Sequence, residues 1–120
     1  MALPRDPVRL GEAMDPAEVL DFVFDLAGVL EAGEAIDDFA LTMSAEGAAL
    51  GVAIDTGVRA PLPIEGDRAV QVWFGVAPAM QGDAAFAGDG IAVGVELRAT
   101  TTASPPRIRE RTFALTLRQR

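Results

Sequence analysis

The chain contains no cysteine, no histidine, no tyrosine and no lysine. Without Cys or His there is no thiolate nucleophile, no imidazole base, no Cys/His zinc site and no Ser-His-Asp triad. Without Lys there is no Schiff base. The missing cysteines also leave no disulfide from which to read a redox compartment. Aromatic residues are few, six Phe and Trp73. Half of the residues are apolar, with 12 Gly and 8 Pro. These residue types point to a structural or binding protein that needs no cofactor and no metal, and not to an enzyme.

A chain of 120 residues fits one domain. Size scaling gives a folded surface of roughly 6,200 Å² against about 18,000 Å² unfolded, enough for one core without staples. No apolar run approaches the ~20 residues of a membrane span. The segment MALPRDPVRL lacks the apolar centre of a signal peptide, so neither a membrane nor an export route is expected. The net charge of −8 and pI of about 4.3 would repel phosphates, so no nucleic-acid partner is expected. Charge is uneven along the chain. Residues 1–97 carry four arginines and seventeen acids, a balance of −13, and residues 98–120 carry six arginines and Glu110, a balance of +5. Such polarity can orient copies of one chain in an assembly. The plainer reading makes Arg107, Arg109 and Arg111 the solvated face of an edge strand, where charge blocks aggregation.

Residues 1–14 read as an extended arm broken by Pro4 and Pro7. Asp15-Pro16-Ala17-Glu18 has the form of a single helical turn, with an Asp cap and Pro at the first position. Residues 20–30 fit a helical stripe, but Leu20, Phe22, Phe24 and Leu26 also alternate, and Phe-Val-Phe favours a strand. Beyond this point the apolar period is two. It runs through Phe39–Met43, Leu50–Ile54, Val70–Phe74, Ile91–Leu97 and Phe113–Leu117, and turn signals such as Glu46-Gly47, Asp55-Thr56-Gly57 and Ser104-Pro105-Pro106 separate the runs. The pattern predicts an all-β chain: an immunoglobulin-like antiparallel β-sandwich of about seven strands over residues 15–120, preceded by the arm. Two stretches, 55–67 and 75–90, read as long loops.

Candidate sites follow from this frame. Trp73 faces out if Val70, Val72 and Phe74 face the core, as an interface anchor or a sugar platform. A local bulge would instead turn it into the core. Met80 and Phe86 either offer a partner-seeking surface or fold back to cap the sandwich. Leu3, Val8 and Leu10 of the arm are candidates to insert against a neighbour. The paired acids Asp37-Asp38, Asp21/Asp25 and Glu31/Glu34 read as solvated turn and edge carboxylates, since adjacent strand residues point to opposite faces. Gly82-Asp83 to Asp89-Gly90 is too sparse in oxygen ligands for a calcium loop.

The order of these motifs resembles a family. Asp15-Pro16, then LDFVFDLAGVL (20–30) and Gly33-Glu34-Ala35-Ile36, resembles the opening of the small tailed-phage structural proteins called fibre–tail adaptors. Val72-Trp73-Phe74-Gly75 is similar to that family's Trp-bearing strand. LRATTT (97–102) and RIRERTFALTL (107–117) are similar to its closing pair of strands. The resemblance spans roughly residues 15–117. It departs at loop tips: residues 75–90 stand where the family has a short Gly-rich turn, and Ala103-Ser104-Pro105-Pro106 replaces a second one. The resemblance implies a non-enzymatic virion protein, an adaptor for tail, neck or fibre attachment. Its partners would be other virion proteins and copies of itself in a symmetric ring, with no membrane or nucleic acid involved, and its arm would be ordered by neighbours. Alternatives are a capsid decoration or head-fibre protein, or a free-standing carbohydrate-binding module.

Overall fold

The computed structural model describes residues 7–120. Leu3 lies outside them. Among the described residues eight strands form two packed sheets: β1 (Val8–Arg9), β2 (Leu20–Asp25), β3 (Ile36–Met43), β4 (Val52–Ile54), β5 (Leu62–Ile64), β6 (Ala69–Val76), β7 (Ile91–Thr101) and β8 (Ile108–Leu117). One sheet has the order β1-β8-β7-β3. The other has β2-β6-β4, with β5 following β4 along the same side of β6. Strands β3, β7 and β8 occupy the positions of the C, F and G strands of an immunoglobulin sandwich, and β2, β6 and β4/β5 those of B, E and D. The folded surface is 6538 Å², close to the value size scaling gives.

Alternation explains the layers. Phe22 and Phe24 of β2, Val70, Val72 and Phe74 of β6, Val93, Val95 and Leu97 of β7, and Phe113, Leu115 and Leu117 of β8 all turn inward and are buried. Phe24 ties the two sheets together. Its ring stacks on Phe113 of the opposite sheet, with centroids 4.2 Å apart, and on Phe74 of its own at 5.9 Å. The Phe-Val-Phe stretch is thus a strand. Asp15-Pro16-Ala17-Glu18 is the single turn before it: Asp15 Oδ1 accepts from the Ala17 N–H at 2.8 Å, and Glu18 Oε1 accepts from the Asp15 N–H at 2.8 Å.

Four parts of the fold differ from the sequence reading, the first being that the stretch 55–67, read as a loop, holds β5, paired with β6. The arm belongs to the sandwich from Val8 onward. Strand β1 pairs in parallel with β8, Val8 opposite Phe113, and the chain continues beside β8 until Met14 donates to the Thr116 carbonyl at 2.9 Å. Met14 is fully buried, and Val8 and Leu10 pack against the core. Val8 and Leu10 therefore cover their own domain, because β8 would otherwise leave a row of backbone groups unpaired at the sheet edge. Next, residues 45–49 form a short helix, α1 (Ala45–Ala49), where Glu46-Gly47 had suggested a simple turn. Ser44 Oγ caps it by accepting from the Gly47 N–H at 3.1 Å. Last, the stretch 75–90 is compact. Two 3₁₀ turns, Pro78–Met80 and Ala84–Phe86, fold it over the open end of the sandwich. Phe86 is fully buried and Met80 half-buried against the core, so Phe86 is a cap and not an exposed anchor. The path ends at Gly90, φ +74°, where a Cβ would stand 2.0 Å from the Leu117 carbonyl oxygen. Only glycine fits there.

Candidate functional site

The outer face of the β2-β6-β4/β5 sheet has the features of a binding surface. Strand register sets its rows. Asp21 lies opposite Trp73, Val23 opposite Gln71, and Gln71 opposite Leu62. On the far side of β6, Ala53 lies opposite Gly75, and the Asp55 N–H donates to the Trp73 carbonyl at 2.9 Å. Val19 closes the row of Gly75, 3.7 Å from where a Cβ would stand. Trp73 thus takes the outward register, since Val72 and Phe74 on either side are fully buried. Val19, Val23 and Leu62 are 46, 45 and 56% exposed, and Val58 in the loop after β4 is fully exposed. Among the described residues three of the five large exposed apolar residues therefore sit on this face. Isolated apolar residues on a surface are ordinary, but a cluster around one tryptophan makes this face a candidate interaction surface.

Arg59 completes the face. Its guanidinium carbon lies 5.3 Å from the Trp73 ring centroid, and its Nε lies 3.3 Å from Asp55. The indole is stacked under a cation and partly covered. A sugar platform needs an open ring face, so this geometry disfavours carbohydrate stacking at Trp73. A shallow groove of about 290 Å³ runs beside it, floored by Gly51, Ala53 and Gly75 and rimmed by Glu18, Asp55 and Arg59. The sequence reading missed Arg59 because it treated residues 55–67 only as a loop. The Asp55/Arg59 spacing of four was the available signal.

Arg107, Arg109 and Arg111 of the basic C-terminal segment lie elsewhere. Arg109 shares its side of β8 with Phe113 and Leu115, so its stem starts on the inner face. Its head donates from Nε and Nη2 to the Val29 carbonyl, at 3.0 and 2.6 Å. Arg107 Nη1 reaches Glu31 Oε1 at 2.6 Å. Arg111 leaves the same side as Arg109 and lies against Gly28, its Nη1 3.5 Å from where a Cβ would stand. Arg68, just before β6, adds a further clamp, donating to the Glu31 and Glu34 carbonyls at 3.2 and 3.0 Å. Four arginines thus hold or line the segment between β2 and β3. Arg109 is thus spent on a contact within the chain, whereas Arg107, bridged to Glu31, keeps its side chain 48% exposed.

Glu34 sits inside this clamp. It is only 6% exposed, and its Oε1 accepts from the Glu31 N–H at 3.0 Å. That bond, then the Thr101 hydroxyl, then the charges of Arg107 and Arg109, hold its carboxyl below the usual glutamate range, and burial opposes them only in part. Oε2 has no partner that meets hydrogen-bond geometry. Glu34 is therefore a buried turn lock and not a solvated carboxylate, while the Glu31 side chain stays exposed, as expected of a turn. Asp37 and Asp38 are exposed, as expected of edge carboxylates. Asp83 caps a 3₁₀ turn through the Ala85 N–H. Among the described residues no three acids come together in a way that could hold a metal ion.

The chain matches no known protein-family model and no curated protein sequence.

Proposed function

We propose that the chain is a non-enzymatic structural protein of a tailed-phage or phage-like particle, an immunoglobulin-like adaptor for tail, neck or fibre attachment. The observation that carries this reading is the agreement between motif order and strand order. Asp15-Pro16 forms the turn that leads into β2, Val72-Trp73-Phe74-Gly75 lies within β6, the threonines 100–101 end β7, and the arginine-rich stretch opens β8. The reading gains support from a rigid two-sheet scaffold with an exposed apolar face, and from the lack of histidine, cysteine and lysine. Function would lie in surface complementarity, with the Trp73 face as the contact surface and the chain in several copies around a ring. Capsid decoration and head-fibre roles use the same surfaces and differ only in where the chain docks.

The test is deletion of the coding sequence in the producing bacterium, followed by electron microscopy of the particles. The reading expects heads without tails, or tails without fibres, restored by supplying the chain in trans. Complete, infectious particles would refute it. Deleting residues 1–12 is a poor substitute, because it removes β1 and uncovers β8.

A further inference from the structure

We infer that residues 118–120 form a strap that couples two walls of the groove beside Trp73, so that the turn before β2 and the 75–90 cap open and close together. The strap leaves β8 after Leu117, and each of its residues bonds a different part of the chain. The Arg118 N–H donates to the Met14 carbonyl at 3.0 Å. Gln119 donates twice to the cap, from its N–H to the Phe86 carbonyl at 2.8 Å and from Nε2 to the Gln81 carbonyl at 3.2 Å. Arg120 holds the turn. Its N–H donates to Asp15 Oδ2 at 2.9 Å, its Nη2 donates to the Ala13 carbonyl, and its Nη1 lies 3.6 Å from Glu18 Oε1.

The two anchor points meet at the groove. Ala17 and Glu18 line it from the turn, and Gln81 lines it from the cap. Among the described residues no hydrogen bond or ion pair joins the turn to the cap directly. Their polar link runs through Gln119 and Arg120, which are adjacent in the chain. All three strap residues are exposed, and the Arg120 and Glu18 side chains are 46 and 37% exposed. Exposed contacts of this kind hold weakly, so the strap can open while the two sheets stay intact. The groove floor is fixed separately, by the pairing of Ala53 with Gly75 across β4 and β6. Release of the strap therefore moves the walls and leaves the floor. A partner that fits the groove in one strap state only would draw the chain into that state. Purified protein alone suffices to test the coupling, apart from the virion reading.

The experiment is amide hydrogen exchange by NMR on the full chain and two variants, each read on the side it does not touch. Gln119→Pro removes both donors to the cap and leaves the Arg120 groups in place. Arg120→Ala removes the side-chain bonds to Ala13 and Glu18 and leaves the Gln119 donors in place. Gln119→Pro should speed exchange of the Ala17 and Glu18 amides at least about fivefold, and Arg120→Ala should do the same for the Asp83 and Phe86 amides. The Val95 and Phe113 amides of the sheets should stay within about twofold of the native chain, since the core is untouched. The Ala17 and Gln81 amide shifts should move in both variants, and that of Gly75 on the floor should hold. Faster exchange confined to the side each variant touches overturns the inference. So does unchanged exchange on both sides, or an equal rise at Val95 and Phe113, which would mean global loosening and no strap.

Discussion

Replacing Arg109 by Ala tests whether the basic segment works inside the domain. Arg109 gives two charged hydrogen bonds to one acceptor, the partly buried Val29 carbonyl. Hydrogen bonds from a charged group contribute roughly 1.5–3 kcal/mol, and the orphaned carbonyl adds desolvation cost unless water reaches it. The stem also packs beside the core, so some apolar contact is lost with the head. A loss of about 2–3 kcal/mol is expected, a large share of the 5–15 kcal/mol typical of a domain. Arg109→Lys should recover only part of it, because an ammonium cannot offer the same forked pair of donors. Arg118→Ala is the control. Arg118 lies in the same basic segment but is exposed and makes no ion pair among the described residues, so its loss should stay within about 0.5 kcal/mol. Urea denaturation followed by far-UV circular dichroism gives the energies. Hydrogen exchange should show the amides of residues 26–35 opening first in Arg109→Ala. If Arg109→Ala and Arg118→Ala cost the same small amount, the clamp does not hold the segment, and the arginines are free as the sequence first suggested.

Other outcomes follow from the same geometry. Phe24→Ala should cost about 3–5 kcal/mol by cavity formation, with a further ~1 kcal/mol from the lost stacking on Phe113, read as a drop in the urea midpoint. Glu34 has its carboxyl held below the ordinary range, so its contribution is present above the usual glutamate pKa and lost as pH falls through the lowered folded value. Glu34→Gln should therefore flatten that acid limb of the stability curve, and an unchanged limb would contradict the hydrogen bonding described. Gly90→Ala should be severely destabilising, since its Cβ would collide with the Leu117 carbonyl, whereas Gly66→Ala, with a similar φ of +70° but open space around it, should cost only about 1–2 kcal/mol. Thermal melts of the two variants decide this. Ser44→Ala should cost about 1 kcal/mol through the lost cap of α1, measured in the same melts.

Strand alternation made most of the sandwich legible, because each strand buries one face and Phe22, Phe24, Val72 and Phe74 announce theirs. The misses have physical causes. Helix α1 is five residues long, too short to show a helical period, and it was signalled only by Ser44 and its alanines. The arm carries Val8, Leu10 and Met14 as a weak alternation, and the pairing that makes sense of it lies about a hundred residues away on β8. Local pattern cannot reveal such a partner. Charge misled for the same reason. Counting signs along the chain found the +5 segment, but Arg107 and Arg109 meet their partners, Glu31 and the Val29 carbonyl, only through the packing of β8 under the β2–β3 connection. For Trp73, alternation alone does not decide between an outward and a core position, and its cover, Arg59, comes from a loop whose path no periodicity encodes.

The central claim is that this chain is a stoichiometric component of a phage-type particle. Mass spectrometry of purified particles, quantified against a labelled peptide of this chain, tests it most directly. The account predicts the chain at a fixed copy number per particle, a multiple of the symmetry of the ring it joins, and retained through density-gradient purification. Its absence from particles, or traces that vary between preparations and wash away, would contradict the account.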